Sequence, residues 1–311
     1  MSRSILPPAM LGILGGGQLG RYFVCAAHEM GYKVMVLDPD PQSPAGRIAD
    51  VHIQAAYDDP IALQRLANDC SAITTEFENV PSSSMRWLAQ YIPVRPSGDN
   101  VAICQCRIDE KRFLSGNGLP LAPYAEIYVE VDITNLESCF FPGILKIARM
   151  GYDGKGQALV QSVEEAIAAF RQFKSVPCVL EKRLPLQHEL SVILVRDLNG
   201  NIISFQPMQN HHSNGILDYS TQPAPDISAD LIVKARHLAE QIANAMDYIG
   251  VLSVEFFLVE GQLLVNELAP RPHNSGHYTL DACITNQFEQ QVRALCGLPL
   301  GDAQAHSSAV M

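Results

Sequence analysis

Glu255 and Glu267 are the residues whose placement most clearly predicts chemistry. Each interrupts an apolar run, residues 251–259 and 263–268, with the β-branched and aromatic content of a buried strand. A three-residue connection through Glu260, Gly261 and Gln262 sets position 255 opposite 267, with both carboxylates on one face. A two-residue connection would set Glu255 against Asn266 instead. Two acids facing each other repel unless a cation lies between them. Carboxylates beside an amide oxygen, with no Cys or His at zinc spacing nearby, suit Mg²⁺, which binds through one or two carboxylates together with substrate phosphates. The loop that follows, with Arg271, His273, Asn274, Ser275 and His277, is rich in donors and reads as an anion-binding loop.

Other stretches fit a phosphate ligand. Gly15, Gly16, Gly17 and Gly20 lie between a strand over 11–14 and a helix whose apolar face includes Leu19, Phe23, Ala26 and Ala27. A strand over 34–37 then ends in Asp38. Taken alone, this pattern describes a dinucleotide site with Asp38 on the ribose, so an NAD(P)-dependent oxidoreductase is the main rival reading. Glu76 and Glu78 follow the strand 72–75, at the end of a parallel sheet where open α/β folds bind ligands. Gly151, Gly154 and Gly156 alternate with polar residues after a strand carrying Lys146. That loop can fold over phosphates while the lysine reaches them from below, although it lacks the G-K-[ST] ending of a Walker loop. Glu181 follows a strand over 178–180, which reads as an edge strand. Its acid and the backbone of Lys182, Arg183 and Leu184 suit an adenine ring. His211 and His212 are expected in a loop, hydrogen-bonded or solvated and not metal-bound.

The elements that must position these residues follow the α/β pattern. One helix is expected over 99–114, carrying Arg107, Lys111 and Arg112; another opens at the capping box Ser162–Glu165; a third, amphipathic, spans 228–248 with Gly250 as its stop. With 311 residues and 47% apolar content, the chain can build two or three cores. A net charge of −11 argues against general nucleic-acid binding, and no apolar run is long enough for a membrane span. The eight cysteines are scattered and read as reduced thiols, which with the lack of a secretion signal predicts a cytoplasmic protein. Residues 308–311 read as the start of another apolar strand.

Taken together, GGGQLG at 15–20, TEFEN at 75–79, GYDGKGQ at 151–157, NHHSNGIL at 210–217, NELAPRPHNSGH at 266–277 and QFE at 287–289 resemble the ATP-grasp superfamily. The resemblance is to its purine-biosynthetic branch, which carboxylates 5-aminoimidazole ribonucleotide. It implies an α/β protein of three parts: a Rossmann-like parallel-sheet domain over 1–112, a small α+β lid over 113–184, and a larger antiparallel-sheet domain over 185–311, with a small closing domain beyond. It also implies ATP and Mg²⁺ as cofactors, bicarbonate and 5-aminoimidazole ribonucleotide as small-molecule substrates, and a homodimer. On the matching positions, ATP would meet Arg107, Lys146, Gly151, Tyr152, Asp153, Gly154, Lys155, Gly156, Gln157, Glu181, Lys182, Arg183, Leu184, Glu189, His212, Asn266 and Glu267. Mg²⁺ would sit on Glu255 and Glu267. The ribonucleotide phosphate would meet Gly17, Gln18 and Leu19, while Glu76, Tyr152, Asp153, Arg271, His273, Asn274 and Ser275 would surround the reacting groups. The third reading is a non-catalytic nucleotide-binding relative.

Overall fold

Leu11, Ile13 and Leu14, none more than 1% exposed, form the middle of a four-stranded parallel sheet ordered Val51–Ile53, Lys33–Leu37, Met10–Leu14, Ala72–Thr75 in a computed structural model describing residues 4–151, 156–213 and 216–311. Alternation sends Leu11, Ile13, Val34 and Val36 to one face and Leu14, Met35 and Leu37 to the other. The first face packs on Phe23, Val24 and Ala27 of the helix Gln18–Glu29. It also packs on Phe288, Val292 and Leu295 of the helix Gln287–Cys296, so an element from the far end of the chain completes this core.

The strands Tyr124–Ile127, Cys178–Lys182, Gly143–Ile147 and Gln157–Val160, in that order, make a small antiparallel sheet with its own core of Ile127, Leu145, Phe170 and Leu180. The main antiparallel sheet runs Gln262–Ala269, Gly250–Val259, His188–Arg196, Met208–Ser213, Ile216–Gln222, Ala309–Val310, with Ile202–Ser204 hairpinned onto His188–Arg196. The helix Ala229–Ala245 buries Leu238, Ala239 and Ile242 against one face of it. The layers are those the family resemblance implies: a Rossmann-like parallel sheet, a small α+β sheet and a larger antiparallel one.

Three expectations change. The expected single helix over 99–114 is two helices, Gly98–Cys104 and Arg107–Gly116. The break is made by tertiary partners: Gln105 Nε2 donates to the carbonyls of Glu78 and Val80, and Arg107 N–H donates to Ala148 O at 2.9 Å. Gly250 does not stop the long helix, which ends at Ala245 with Asp247 at φ +44; Gly250 instead opens the next strand at φ +126, beside the Gln291 side chain. The strand Cys178–Lys182 lies inside its sheet, paired on both sides, and is not an edge.

Candidate active site

Glu255 lies opposite Glu267, as expected, but by a different route. The connection is two residues, Glu260 and Gly261, both at positive φ (+48 and +75), which is the turn that matches strand twist. That alone would shift the register by one. A bulge between Glu255 and Phe256 restores it: Phe256 pairs with Val265 and Glu255 with Glu267, leaving Asn266 as the extra residue. Asn266 Nδ2 is 3.5 Å from Glu255 Oε2, while its buried Oδ1 has no hydrogen-bond partner among the described residues. Burial, and then the nearby Glu267, raise the Glu255 pKa. Burial, the largest single influence, would raise Glu267 too, but Arg107, whose Nη1 is 3.0 Å away, and behind it Lys146 and His273 together hold the group lower. A repelled acid pair and an orphaned amide oxygen suit a hard divalent cation. Among the described residues no cluster of three or more His, Cys, Asp or Glu surrounds one point, so the remaining ligands would be phosphate or water.

The cations come from the redirected helix and the small sheet. Lys146 Nζ is 2.7 Å from Glu181 Oε2, and Lys111 Nζ is 3.3 Å from Glu181 Oε1 and donates to Asn266 O at 3.0 Å. Burial alone would raise the Glu181 pKa, but the two lysines hold it at about 2. The acid expected to read an adenine amino group is therefore committed to the lysines. Beside it, a cavity of about 640 Å³ is walled by Ile144, Lys182, Arg183, Leu184 and Phe257. The amides of Lys182 and Arg183 donate to Pro123 and Pro142 carbonyls, so among these three only the Leu184 amide is left without a backbone acceptor among the described residues.

His212 lies in the strand Met208–Ser213, not in a loop. A bulge between His211 and His212 separates their roles: His211 stacks on Tyr219, while His212 Nδ1 comes 2.6 Å from Glu189 Oε2, a contact that raises the His212 pKa.

The glycine turn is already occupied by two acids. Gly17 and Gly20 amides donate to Glu76 at 2.6 and 2.8 Å, and Glu76 has a raised pKa because burial outweighs those bonds. Asp38 accepts from Gly16 N–H, Asp40 N–H and the Tyr57 hydroxyl. A dinucleotide pyrophosphate and ribose would need these same groups, so the geometry speaks against the oxidoreductase reading. Of the three residues expected at the ribonucleotide phosphate, Gln18 and Leu19, in the first helical turn, have amides with no intrahelical acceptor, whereas that of Gly17 is taken. Across the cleft, Arg271 pairs with Glu78 at 2.9 Å, and His273 Nε2 is 3.3 Å from Glu255 Oε1. Burial and Arg271 lower the His273 pKa to about 3, so the ring is neutral near pH 7. Asn274 is exposed, and Ser275 is fully buried behind His273.

Gly151 lines the cleft beside Glu267; Gly156 has φ +73, and Gln157 lies opposite Lys146 in the small sheet. Tyr152, Asp153, Gly154 and Lys155 lie outside the described residues. Sequence reasoning assigned no role to Lys111, although its spacing from Arg107 places both on one helix face. It also missed Glu110, buried and accepting the Leu268 amide at 2.7 Å, and Gln287, which holds both His273 N–H and His273 O.

A family model described as "Ribonucleotide synthetase preATP-grasp domain" matches residues 9–105, and one described as "ATP-grasp domain" matches residues 112–288. The chain is 46% identical to the N5-carboxyaminoimidazole ribonucleotide synthase of Brucella melitensis, over 99% of this chain and 86% of that protein. It is 43% identical to the enzyme of the same name from Bacillus subtilis, over 97% and 80%. A crystal structure of an N5-carboxyaminoimidazole ribonucleotide synthetase with ADP superposes with a TM-score of 0.95 at 41% identity, covering 100% of this chain and 82% of that one. The Aspergillus clavatus synthase with ADP and 5-aminoimidazole ribonucleotide gives a TM-score of 0.90 at 29% identity, covering 97% and 81%.

Proposed function

Because this chain belongs to the ATP-grasp family of N5-carboxyaminoimidazole ribonucleotide synthases, we propose that it uses ATP to attach bicarbonate to the exocyclic amine of 5-aminoimidazole ribonucleotide, releasing ADP and phosphate. The observation that carries the reading is the pair Glu255 and Glu267, aligned on one face of a hairpin whose Phe257 also walls the cavity that Lys146 and Lys182 line.

Bicarbonate is a poor electrophile, so the reaction needs it activated. A bicarbonate oxygen attacks the γ-phosphorus, the bond to ADP breaks, and carboxyphosphate forms. The amine nitrogen then attacks its carbon, phosphate leaves, and the amine gives up a proton. Both steps require water to be kept out and the partners held together. Lys146, steadied by Glu181, and Arg107 supply positive charge toward the phosphates, with Gly151, Gly156, Gln157 and Asn266 beside them. The cavity walls and the Leu184 amide take the adenine, with Glu189 and His212 held as a pair in the adjoining cavity that shares Leu186 with it. Glu255 and Glu267, with the Asn266 amide oxygen, would hold Mg²⁺, which when bound supplies charge neutralisation between phosphates. Glu76, Arg271, neutral His273 and Asn274 border the space assigned to the amine and bicarbonate, with Ser275 buried behind His273, and Gln18 and Leu19 take the ribonucleotide phosphate. Tyr152, Asp153, Gly154 and Lys155 complete the cover of the phosphates in this proposal. The division at 112 and 184 and a cytoplasmic homodimer are proposed on the strength of the family; equilibrium sedimentation tests the assembly.

Phosphate release by the purified chain that depends jointly on ATP, bicarbonate and 5-aminoimidazole ribonucleotide is the expected result. Its absence, or tight NADH binding without ATP binding, overturns the reading.

A further inference from the structure

Ser191 lies directly opposite Glu255 in the ladder, on the same face. Its hydroxyl is 2.8 Å from Ser275 Oγ, which is 2.9 Å from His273 Nδ1; Ser191 and Ser275 are at most 1% exposed. Beyond Ser191, Asn210 Oδ1 takes the Ser220 hydroxyl at 2.7 Å and lies 3.5 Å from Ser191 Oγ. The far ring nitrogen of His273, Nε2, faces Glu255 Oε1 at 3.3 Å.

Each hydroxyl has one proton, and that decides the direction of the chain. If Nδ1 carried the ring proton, Ser275 would have to donate to Ser191, and Ser191 to Asn210 across 3.5 Å, the limit of a hydrogen bond. The Ser275 amide, 3.3 Å from Nδ1, would then point its proton at another proton. In the opposite direction, Ser191 donates to Ser275 and Ser275 to Nδ1 within 2.9 Å, the Ser275 amide adds a second donor to Nδ1, and Asn210 keeps Ser220. We propose that Ser191 and Ser275 are positioning residues that lock His273 in the Nε2–H tautomer, so that the N–H it turns toward Glu255, 3.3 Å away, helps aim that carboxylate at the cation. The second half of this statement rests on the metal role proposed for Glu255. A neighbour that orients a metal ligand in this way contributes to metal affinity as well as to order.

Nitrogen-15 NMR of ring-labelled, ligand-free protein, with the His273→Asn variant to assign the signal, tests the first half without any substrate. A single Nε2–H pattern is expected in the wild type, becoming mixed in Ser275→Ala and in Ser191→Ala, the latter not touching His273. An Nδ1–H pattern in the wild type, or an unchanged tautomer in both variants, overturns the proposal. In turnover assays, Ser191→Ala should raise the Mg²⁺ concentration for half-maximal rate about tenfold, with the KM for 5-aminoimidazole ribonucleotide unchanged. A lost tautomer with an unchanged Mg²⁺ requirement removes the positioning role. The expected tautomer in a protein with no ATP turnover leaves the relay standing and overturns the proposed reaction instead.

Discussion

Glu255 and Glu267 come to face each other only because a two-residue turn and a bulge one residue from Glu255 compensate one another. In the ligand-free protein their proximity is unfavourable, and the raised pKa of Glu255 records that cost, with burial as the larger cause. Function and stability are therefore opposed at this pair.

Replacing Glu255 by Gln removes one of the two like charges and keeps the shape of the side chain. The ligand-free variant should melt above the wild type, while Mg²⁺-dependent ATP turnover should fall by about a hundredfold. Differential scanning calorimetry without nucleotide, alongside steady-state phosphate release, checks both. A lower melting temperature with comparable loss of activity would make Glu255 an ordinary structural acid.

Glu76 caps the helix Gln18–Glu29 through the Gly17 and Gly20 amides, while Glu78 secures Arg271. The two acids should respond differently to substitution. Glu76→Ala should lose about 1 kcal/mol of stability in urea unfolding, as removal of a helix cap does. Glu78→Gln frees Arg271, and its main effect should appear in the KM for bicarbonate or for 5-aminoimidazole ribonucleotide. If Glu76→Ala unfolds at the wild-type urea concentration, the capping bonds are not holding the helix.

Strand patterning and residue chemistry, which are local signals, made the opening parallel sheet and the facing acids legible, and the family motifs implied the other two layers. What the sequence hid was decided by distant partners. Nothing within residues 98–116 announces a break; Gln105 is drawn away by carbonyls of Glu78 and Val80, and Arg107 by Ala148. Glu260 is an uncommon residue at positive φ, so the shorter hairpin turn was not evident, and neither was the bulge that offsets it. His211 and His212 look like a loop pair by composition, yet cross-strand pairing makes them part of a strand. Gln287 carries no catalytic chemistry by type, and only the folded chain shows it gripping the His273 backbone.

Lys111 shares Glu181 with Lys146 and holds the Asn266 carbonyl beside the acid pair. With Lys111→Met, Glu181 is left to Lys146 alone, which ties Lys146 down just where the phosphates need it. The dissociation constant for ATP should rise about tenfold, the scale of one hydrogen bond to a charged group. Isothermal titration calorimetry reads this directly, and an unaltered constant would mean that Lys146 is not restrained by Glu181.

Glu181 also gives the protein a predictable acid limb. Its folded pKa of about 2 lies below the ordinary 4.5, so the folded state favours the charged form. A depressed carboxylate stabilises above its unfolded pKa, and that stabilisation is lost as pH falls through the folded value. Glu181→Gln leaves two buried lysines facing an uncharged partner, and it should be about 3 kcal/mol less stable than the wild type at pH 7. That gap should narrow between pH 4.5 and 2, where wild-type Glu181 takes up its proton and comes to resemble the variant. Guanidinium unfolding of both proteins across this range measures the gap; one that stays constant below pH 4.5 would show that the two lysines do not hold Glu181 ionised.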